Sequence, residues 1–241
     1  MTSHAPTNAS PAAPASQTLS RGIRILEILA QTRGDLSIDD VAHQLDVHRS
    51  IAYRLLRTLE DHGLVVRHLS GRVALGPATA ALAAGVAPDL QAVARPELTA
   101  AADELGMTCF LSVFHRSECI TLVSVEPRDA IATMAQRPGT RHPVTVGAPG
   151  KVILSLISPA EWPGAVSDGL RAELREVDAR GFATSHDEVI SSVQSVAVPL
   201  AVRDRSPAAV AVVYVAPVRN AEAIAARLTR AAAAIRNALG G

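Results

Sequence analysis

Residues 37–61 read Ser37-Ile38-Asp39-Asp40-Val41-Ala42-His43-Gln44-Leu45-Asp46-Val47-His48-Arg49-Ser50-Ile51-Ala52-Tyr53-Arg54-Leu55-Leu56-Arg57-Thr58-Leu59-Glu60-Asp61, and two periodicities within them decide the amino-terminal fold. Ser50, Tyr53, Arg54 and Arg57 recur at helical spacing, and Ala52, Leu55, Leu56 and Leu59 repeat it two residues later. At about 100° per residue the two sets face opposite ways. The apolar back can dock on a small core. The front offers hydroxyl, phenol and guanidinium groups suited to phosphates and base edges in a DNA major groove. Ahead of it, Ser37 caps a helix whose Ile38, Val41, Ala42 and Leu45 fall at i, i+3, i+4 and i+7, with Asp39 and Asp40 in the first turn. A helix over 38–45, a turn at Asp46-Val47-His48 with Val47 as its apolar plug, and a helix over 49–61 make a helix-turn-helix.

After His62-Gly63, the run Leu64–Leu69, the turn Ser70-Gly71 and the run Arg72–Leu75 read as a hairpin wing. Arg67, His68 and Arg72 are expected on or near its tip, where cations touch backbone phosphate without reading sequence. An arginine-bearing helix face is also what a solvated surface looks like, so the wing that follows directly is what tips the reading towards DNA. The expected DNA-contacting set is Ser37, Arg49, Ser50, Tyr53, Arg54, Arg57, Arg67, His68 and Arg72.

The stretches Leu19-Ser20-Arg21-Gly22-Ile23-Arg24-Ile25-Leu26-Glu27-Ile28-Leu29, Arg54–Leu64 and Gly71-Arg72-Val73-Ala74-Leu75-Gly76 resemble the DNA-binding module of IclR-type transcriptional regulators. The likeness covers nearly the whole chain after about residue 18. It implies a regulator, more often a repressor, that binds double-stranded operator DNA as a homodimer or tetramer.

With 241 residues, 48% hydrophobic, and one Trp, two Tyr and three Phe, the chain can bury a core built of Ala, Val, Leu and Ile and has room for two domains. The 23 basic and 23 acidic residues balance, which argues against strong nonspecific DNA binding. Between residues 43 and 72, five arginines face three carboxylates, so the local positive excess is small and recognition must come from placement and from dimerisation. No apolar run approaches the roughly 20 residues of a membrane span, and Met1–Gln17 lacks the pattern of a secretory signal. A cytoplasmic protein with no membrane partner is expected, with residues 1–17 a disordered tail rich in Ala, Pro, Ser, Thr and Asn.

The reading helices belong to a domain over 18–77, followed by an alanine-rich linker helix over 78–88 and a second domain over 89–241. There, a segment opening at Pro88-Asp89 breaks register at Pro96, where a separate helix starts and ends before Gly106. Strands are expected near 108–115 and 119–126, an extended piece at 130–135, a loop ending at Gly147, helices over 149–157 and 168–180, strands near 194–202 and 208–215, and a helix over 220–239. This order argues for an α+β domain, an antiparallel sheet with helices on one side and a concavity able to take a small molecule.

Arg141-His142-Pro143-Val144, Ala148–Leu154, Gly181-Phe182-Ala183, Asp187-Glu188 and Ser195–Leu200 resemble segments of the IclR effector domain, implying a GAF-like fold whose pocket binds a small metabolite, often a carboxylate or aromatic acid, that alters operator affinity. The effector-binding residues expected are Phe110, Ser112, Met134, Ala148, Pro149, Gly150, Lys151, Glu188, Ser195, Ala197 and Pro199. The helix start at Gly147–Lys151 suits an anion, through free N–H groups and the helix dipole. It suits a plain loop-to-helix cap equally, and Lys151, the only lysine, could be a surface residue whose stem packs on the sheet. The chain departs from the family pattern in a short connection from Ile157 to Leu170, in Ser192 where glycine is usual, and in Val196, Val198 and Pro199 among the polar pocket positions. The pocket therefore reads as smaller and more apolar than its relatives'.

Other chemistries find little support. Cys109 and Cys119 flank a hairpin at Arg116-Ser117 that sets Cys119 opposite Phe114 and Cys109 roughly 16 Å away, beyond disulfide reach. His115 with these cysteines lacks the paired spacing of a zinc site, so no metal is expected. Gly147–Lys151 is too compressed for a phosphate loop, and Val152 stands where a magnesium-binding hydroxyl belongs, so no nucleotide cofactor is expected either. Ser155 with His142 or His186 forms no convergent catalytic set. A ligand-binding or protein-interaction module that uses its helix-turn-helix for dimerisation remains open.

Overall fold

The computed structural model describes residues 16–32, 34–129, 136–215 and 220–241, and the chain divides into two compact units, the first ending at Val86 and the second beginning at Ala87. The extended piece expected at 130–135, Met134 included, lies outside the described residues, as does residue 1–15 of the expected tail.

The first unit contains α1 (Gln17–Gln31), α2 (Ile38–Gln44), α3 (Arg49–Asp61), β1 (Val65–Arg67), β2 (Val73–Leu75) and α4 (Ala78–Ala84). Gln17 belongs to α1, not to the tail, because the Ser16 hydroxyl accepts from the Leu19 N–H and caps that helix. Between α2 and α3, Asp46 turns the chain in left-handed geometry, with φ of 52°, and the Val47 N–H reaches back to the Ala42 carbonyl. The sequence offers no obvious cap for α3; His48 provides it, its Nδ1 accepting from the Ser50 N–H at 3.3 Å. Leu36 forms a bridge to Val73, adding a third edge to the two-stranded wing. Ile25, Ile28, Val41, Ala52, Leu56, Val65 and Val73 close the core. The helix expected over 78–88 spans Ala78–Ala84, groups with this unit, and has no buried residue of its own.

The second unit contains α5 (Pro88–Leu105), β3 (Thr108–His115), β4 (Glu118–Val125), β5 (Arg141–Pro143), α6 (Gly147–Ser155), α7 (Asp168–Arg180), β6 (Ala183–His186), β7 (Val193–Leu200), β8 (Ala208–Val215) and α8 (Ala221–Ala238). The strands form one antiparallel sheet in the order β5-β4-β3-β8-β7-β6. Its helices lie on both faces, which corrects the one-sided arrangement expected. Cys109, Leu111, Val210 and Val212 pack in one core with residues of α5 and α8, while Phe110, Ala209 and Ala211 pack in another with residues of α6 and α7. The unbroken apolar run of β8 follows from this, since a strand covered twice has no polar face.

α5 is a single helix running through Pro96, not two helices as the proline suggested. The proline costs a hydrogen bond and about 3 kcal/mol in a helix interior. Its ring lies on the exposed side, whereas Leu90, Ala94, Leu98, Ala101 and Ala102 are buried in one continuous register, and their burial outweighs the break. The edge strands β5 and β6 carried no sequence signal because they are only three and four residues long and largely polar.

α6 approaches the sheet closely over Ala197, Ala209 and Ala211, and every residue from Gly147 to Leu154 is buried. A Cβ on Gly150 would lie 2.3 Å from the Val144 carbonyl oxygen, a backbone atom that cannot easily yield. Cys119 pairs with Phe114 and Cys109 with Val125, and both thiols are buried, free and pushed up to about 12 by desolvation. Among the described residues no helix is long and apolar enough to cross a membrane.

Two outcomes follow. Gly150→Ala lowers the thermal midpoint, with a loss of about 2 kcal/mol or more in chemical denaturation of the full chain. At neutral pH the native protein resists iodoacetamide at both cysteines, and denaturant exposes both to alkylation, as intact mass will record.

Candidate functional site

On α3 the polar front stands free of the first unit's core. Ala52 and Leu56 are fully buried behind it, whereas Ser50, Tyr53, Arg54 and Arg57 are all exposed, Tyr53 to 42%. Arg54 and Arg57 have no side-chain partner among the described residues, so two guanidinium groups one turn apart point into solvent. The Ser50 hydroxyl lies 2.9 Å from His48 Nδ1, and Arg49 pairs with Asp39 of α2, so these two also brace the helix start.

The remaining expected contacts are engaged within the unit. Ser37 and Asp40 form a capping box: the hydroxyl donates to the Asp40 carboxylate at 2.7 Å and accepts the Asp40 N–H at 3.1 Å. Those hydrogen bonds from Ser37 hold the Asp40 carboxyl below its ordinary value. Arg72 donates through Nε and Nη2 to the Asp35 carbonyl at 3.0 and 2.6 Å, and His68 lies 3.4 Å from the Asp35 carboxylate. Arg67 ends β1 beside the wing turn, near the tip as expected, but it does not face outward. It shares the inward face of β1 with buried Val65, two residues earlier, and its guanidinium lies 5.2 Å from the Tyr53 ring centroid and 3.4 Å from Glu60. The tip itself presents Leu69, fully exposed.

In the second unit a cleft lies between the sheet and the 187–192 loop, lined by Phe110, Gln136, His142, Gly147, Ser185 and Ser195 together with Pro149, Val189, Ile190, Val193 and Val213. Its free space is about 40 Å³, room for little more than a water molecule. Of the expected set, Phe110, Pro149 and Ser195 line it. The Ser195 hydroxyl donates to the Val212 carbonyl at 2.7 Å. Ala148 and Ala197 are instead buried in the sheet–helix core, Gly150 sits against Val144, and Pro199 pairs with Ala209 further along β7. Ser112 is fully buried outside the cleft lining, with no hydrogen-bond partner for its hydroxyl among the described residues. Among the lining residues that the sequence reading missed, Val193 and Val213 follow from strand geometry: Val193 is two residues from Ser195 on one face, and Val213 is the cross-strand partner of Ser195.

The anion seat at the start of α6 is filled by the protein itself. Glu188 accepts the Gly147 N–H at 2.8 Å and binds Lys151 Nζ at 2.5 Å, and Lys151 also reaches Glu173 and the Thr184 carbonyl. Lys151 is 5% exposed, so it is not the surface lysine that its lone position allowed. Its charge is met by two carboxylates, which is what burial of an ammonium requires. Asp187 and Ser192, at either end of the Glu188 loop, have φ of 60° and 64°. The glycine usual at the position of Ser192 is accounted for by that left-handed geometry. His142 is 7% exposed, with Nδ1 3.0 Å from the Pro143 carbonyl; burial draws its imidazole below its ordinary value, which favours the neutral ring at pH 7.

The model of the IclR helix-turn-helix domain matches residues 18–69, and that of the bacterial transcriptional regulator IclR C-terminal domain matches residues 83–238. The probable transcriptional regulator SauR of Cupriavidus necator is 28% identical over 82% of this chain and 84% of its own length. The glycerol operon regulatory protein of Streptomyces griseus is 31% identical over 83% of this chain and 84% of its own. Among solved structures, an IclR-type transcriptional regulator from Alicyclobacillus acidocaldarius superposes with a TM-score of 0.83 at 26% identity, covering 94% of this chain and all of that one (100%). An IclR homologue from Microbacterium hydrocarbonoxydans, solved with 4-hydroxybenzoate, gives a TM-score of 0.80 at 23% identity over 93% of this chain and 99% of that one.

The neutral state of His142 has a pH consequence. The unfolded chain binds a proton near the ordinary imidazole value of 6.5 that the folded cleft resists. Stability is therefore full above that value and falls as the pH drops below it. Thermal midpoints measured at pH 7.5 and 5.5 are expected to fall for the wild type and to fall less for His142→Gln.

Proposed function

Because this chain belongs to the IclR family of bacterial transcriptional regulators, with an amino-terminal DNA-binding helix-turn-helix and a carboxy-terminal effector domain, we propose that it is a cytoplasmic repressor whose hold on a near-palindromic operator is changed by a small carboxylate or aromatic acid. The family is one of regulators, not of enzymes. The observation that carries the DNA-reading half is the uncovered front of α3, where Arg54 and Arg57 stand without partners among the described residues beside Ser50 and the edge of Tyr53. Arginine can grip guanine edges bidentately or phosphate, and both uses need a guanidinium that is not already engaged. Arg49 and Ser50 add phosphate contacts from the helix start. Arg72 and His68, tied to Asp35, bring the wing to the backbone and do not read bases.

A homodimer is supported by apolar side chains that stand exposed among the described residues. Leu19 and Ile23 of α1, one turn apart, are 64% and 50% exposed, and Leu82 of α4 is 65% exposed. Two copies double the arginine pairs, which a chain of zero net charge needs for operator affinity.

For the effector, Phe110, Val193 and Val213 supply an apolar wall, while His142, Gln136 and Ser195 supply hydrogen-bonding groups. The 4-hydroxybenzoate held by the Microbacterium homologue is an aromatic carboxylate, the chemical class proposed here. Its entry into a cleft this small requires the Glu188 loop to move, and the ligand can shift DNA affinity only by binding the two arrangements unequally. Repressor names among the relatives, such as the transcriptional repressor IclR of Escherichia coli, support the sign of regulation.

An electrophoretic shift with the DNA upstream of the protein's own gene tests the reading. The wild type is expected to retard it specifically, and Arg54→Ala and Arg57→Ala each to weaken binding by roughly tenfold or more with unchanged circular dichroism. Normal shifts by both variants would exclude this face.

A further inference from the structure

The wing arginine that does not face outward has a different task. At about 100° per residue, Tyr53 and Glu60, seven residues apart, fall within about 20° of each other on α3, at one margin of a polar front centred on Ser50, Arg57 and Arg54. Arg67 lies along that margin. Its guanidinium is within stacking distance of the Tyr53 ring, 5.2 Å to the centroid, and Nη2 is 3.4 Å from Glu60. The side chain is 25% exposed, and Nε is buried with no hydrogen-bond partner among the described residues, so the group is largely withdrawn from solvent. Strand parity imposes this: Val65 faces the core on β1, and Arg67 must share that face, so it meets α3. The arrangement leaves Arg54 and Arg57 uncovered and gives the exposed phenol a planar cation to rest on.

We infer that Arg67 is a positioning residue of the DNA-reading surface: its guanidinium stacks on Tyr53 and pairs with Glu60, fixing the phenol and the angle between wing and reading helix, and it makes no phosphate contact. This rests on the DNA-binding role proposed above. The planar group is what the task needs. A lysine at 67 would keep the charge and lose the flat face that covers the ring. A phosphate contact has the opposite requirement, because there the charge alone recovers much of the affinity.

The experiment compares the full-length wild type, Arg67→Lys, Arg67→Met, Tyr53→Leu and the double variant Tyr53→Leu/Arg67→Lys on the DNA fragment upstream of the protein's own gene, at several salt concentrations. Bracing predicts that Arg67→Lys and Arg67→Met weaken specific binding alike, by about three- to fivefold. The salt slope stays at the wild-type value, and Arg67→Lys has no further effect once Tyr53 is leucine. Wild-type affinity in Arg67→Lys, a salt slope lower by about one in Arg67→Met, or additive losses in the double variant overturn the inference in favour of a phosphate contact. The Tyr53 ring resonances, read by NMR without DNA, supply a separate arm: they shift in Arg67→Lys if the guanidinium stacks, and unchanged resonances overturn the stack. If the wild type fails to retard the fragment, the DNA-binding proposal fails for that fragment, and this arm still decides whether Arg67 braces Tyr53.

Discussion

The amino-terminal unit depends on one docking event, the burial of Ala52 and Leu56 from α3 against Ile25, Val41, Val65 and Val73. Those contacts leave a helix only one rotation about its axis. Turning α3 by half a turn would strand Leu56 in water and force Arg54 and Arg57 into an apolar core without counter-charges, a cost far beyond what a unit this size can bear. The outward direction of the polar front is thus a by-product of packing. The capping box at Ser37 and the His48 cap then set where α2 and α3 begin, so the front is presented by a helix with defined ends.

Arginines that look equivalent in a local charge count divide sharply once the unit folds. Arg49, Arg67 and Arg72 are engaged with Asp39, Tyr53 and Glu60, and the Asp35 carbonyl, respectively; Arg54 and Arg57 are not engaged among the described residues. Three of the five cations near the reading helix therefore shape the surface and two remain as its open guanidinium groups. In a chain with no net charge this division matters more than the total, because a guanidinium held by an internal acceptor has less to offer a phosphate.

The carboxy-terminal unit is governed by the close seating of α6 on small sheet residues. Alanines at 197, 209 and 211 and glycine at 150 let the helix approach until every residue from Gly147 to Leu154 is buried, and that burial carries Lys151 inside with it. An ammonium there demands carboxylates, and Glu188 and Glu173 supply them. Glu188 in turn anchors the loop that carries Val189 and Ile190 over the cleft. The small size of the cleft is thus linked, through one ion pair, to the tight packing of a helix on a sheet.

Patterns that depend on a short repeat were legible in the chain itself. The 3.6-residue period placed α2 and α3, with the Ser37 cap marking the start of α2, the apolar runs on either side of Arg116-Ser117 placed Cys119 opposite Phe114, and the family likeness named both halves. What tertiary structure alone decided were matters of partnership. These include which face of β1 Arg67 would occupy, that α5 would pass through Pro96, that the sheet would be covered twice, and that Glu188 would fill the helix start whose spacing suited an anion site and a plain cap equally. Each turns on a contact between residues far apart in sequence, such as Gly147 with Glu188 or Arg72 with Asp35. Local spacing fixes direction and period along one element, but the energy of burying or pairing a side chain depends on what the fold brings against it.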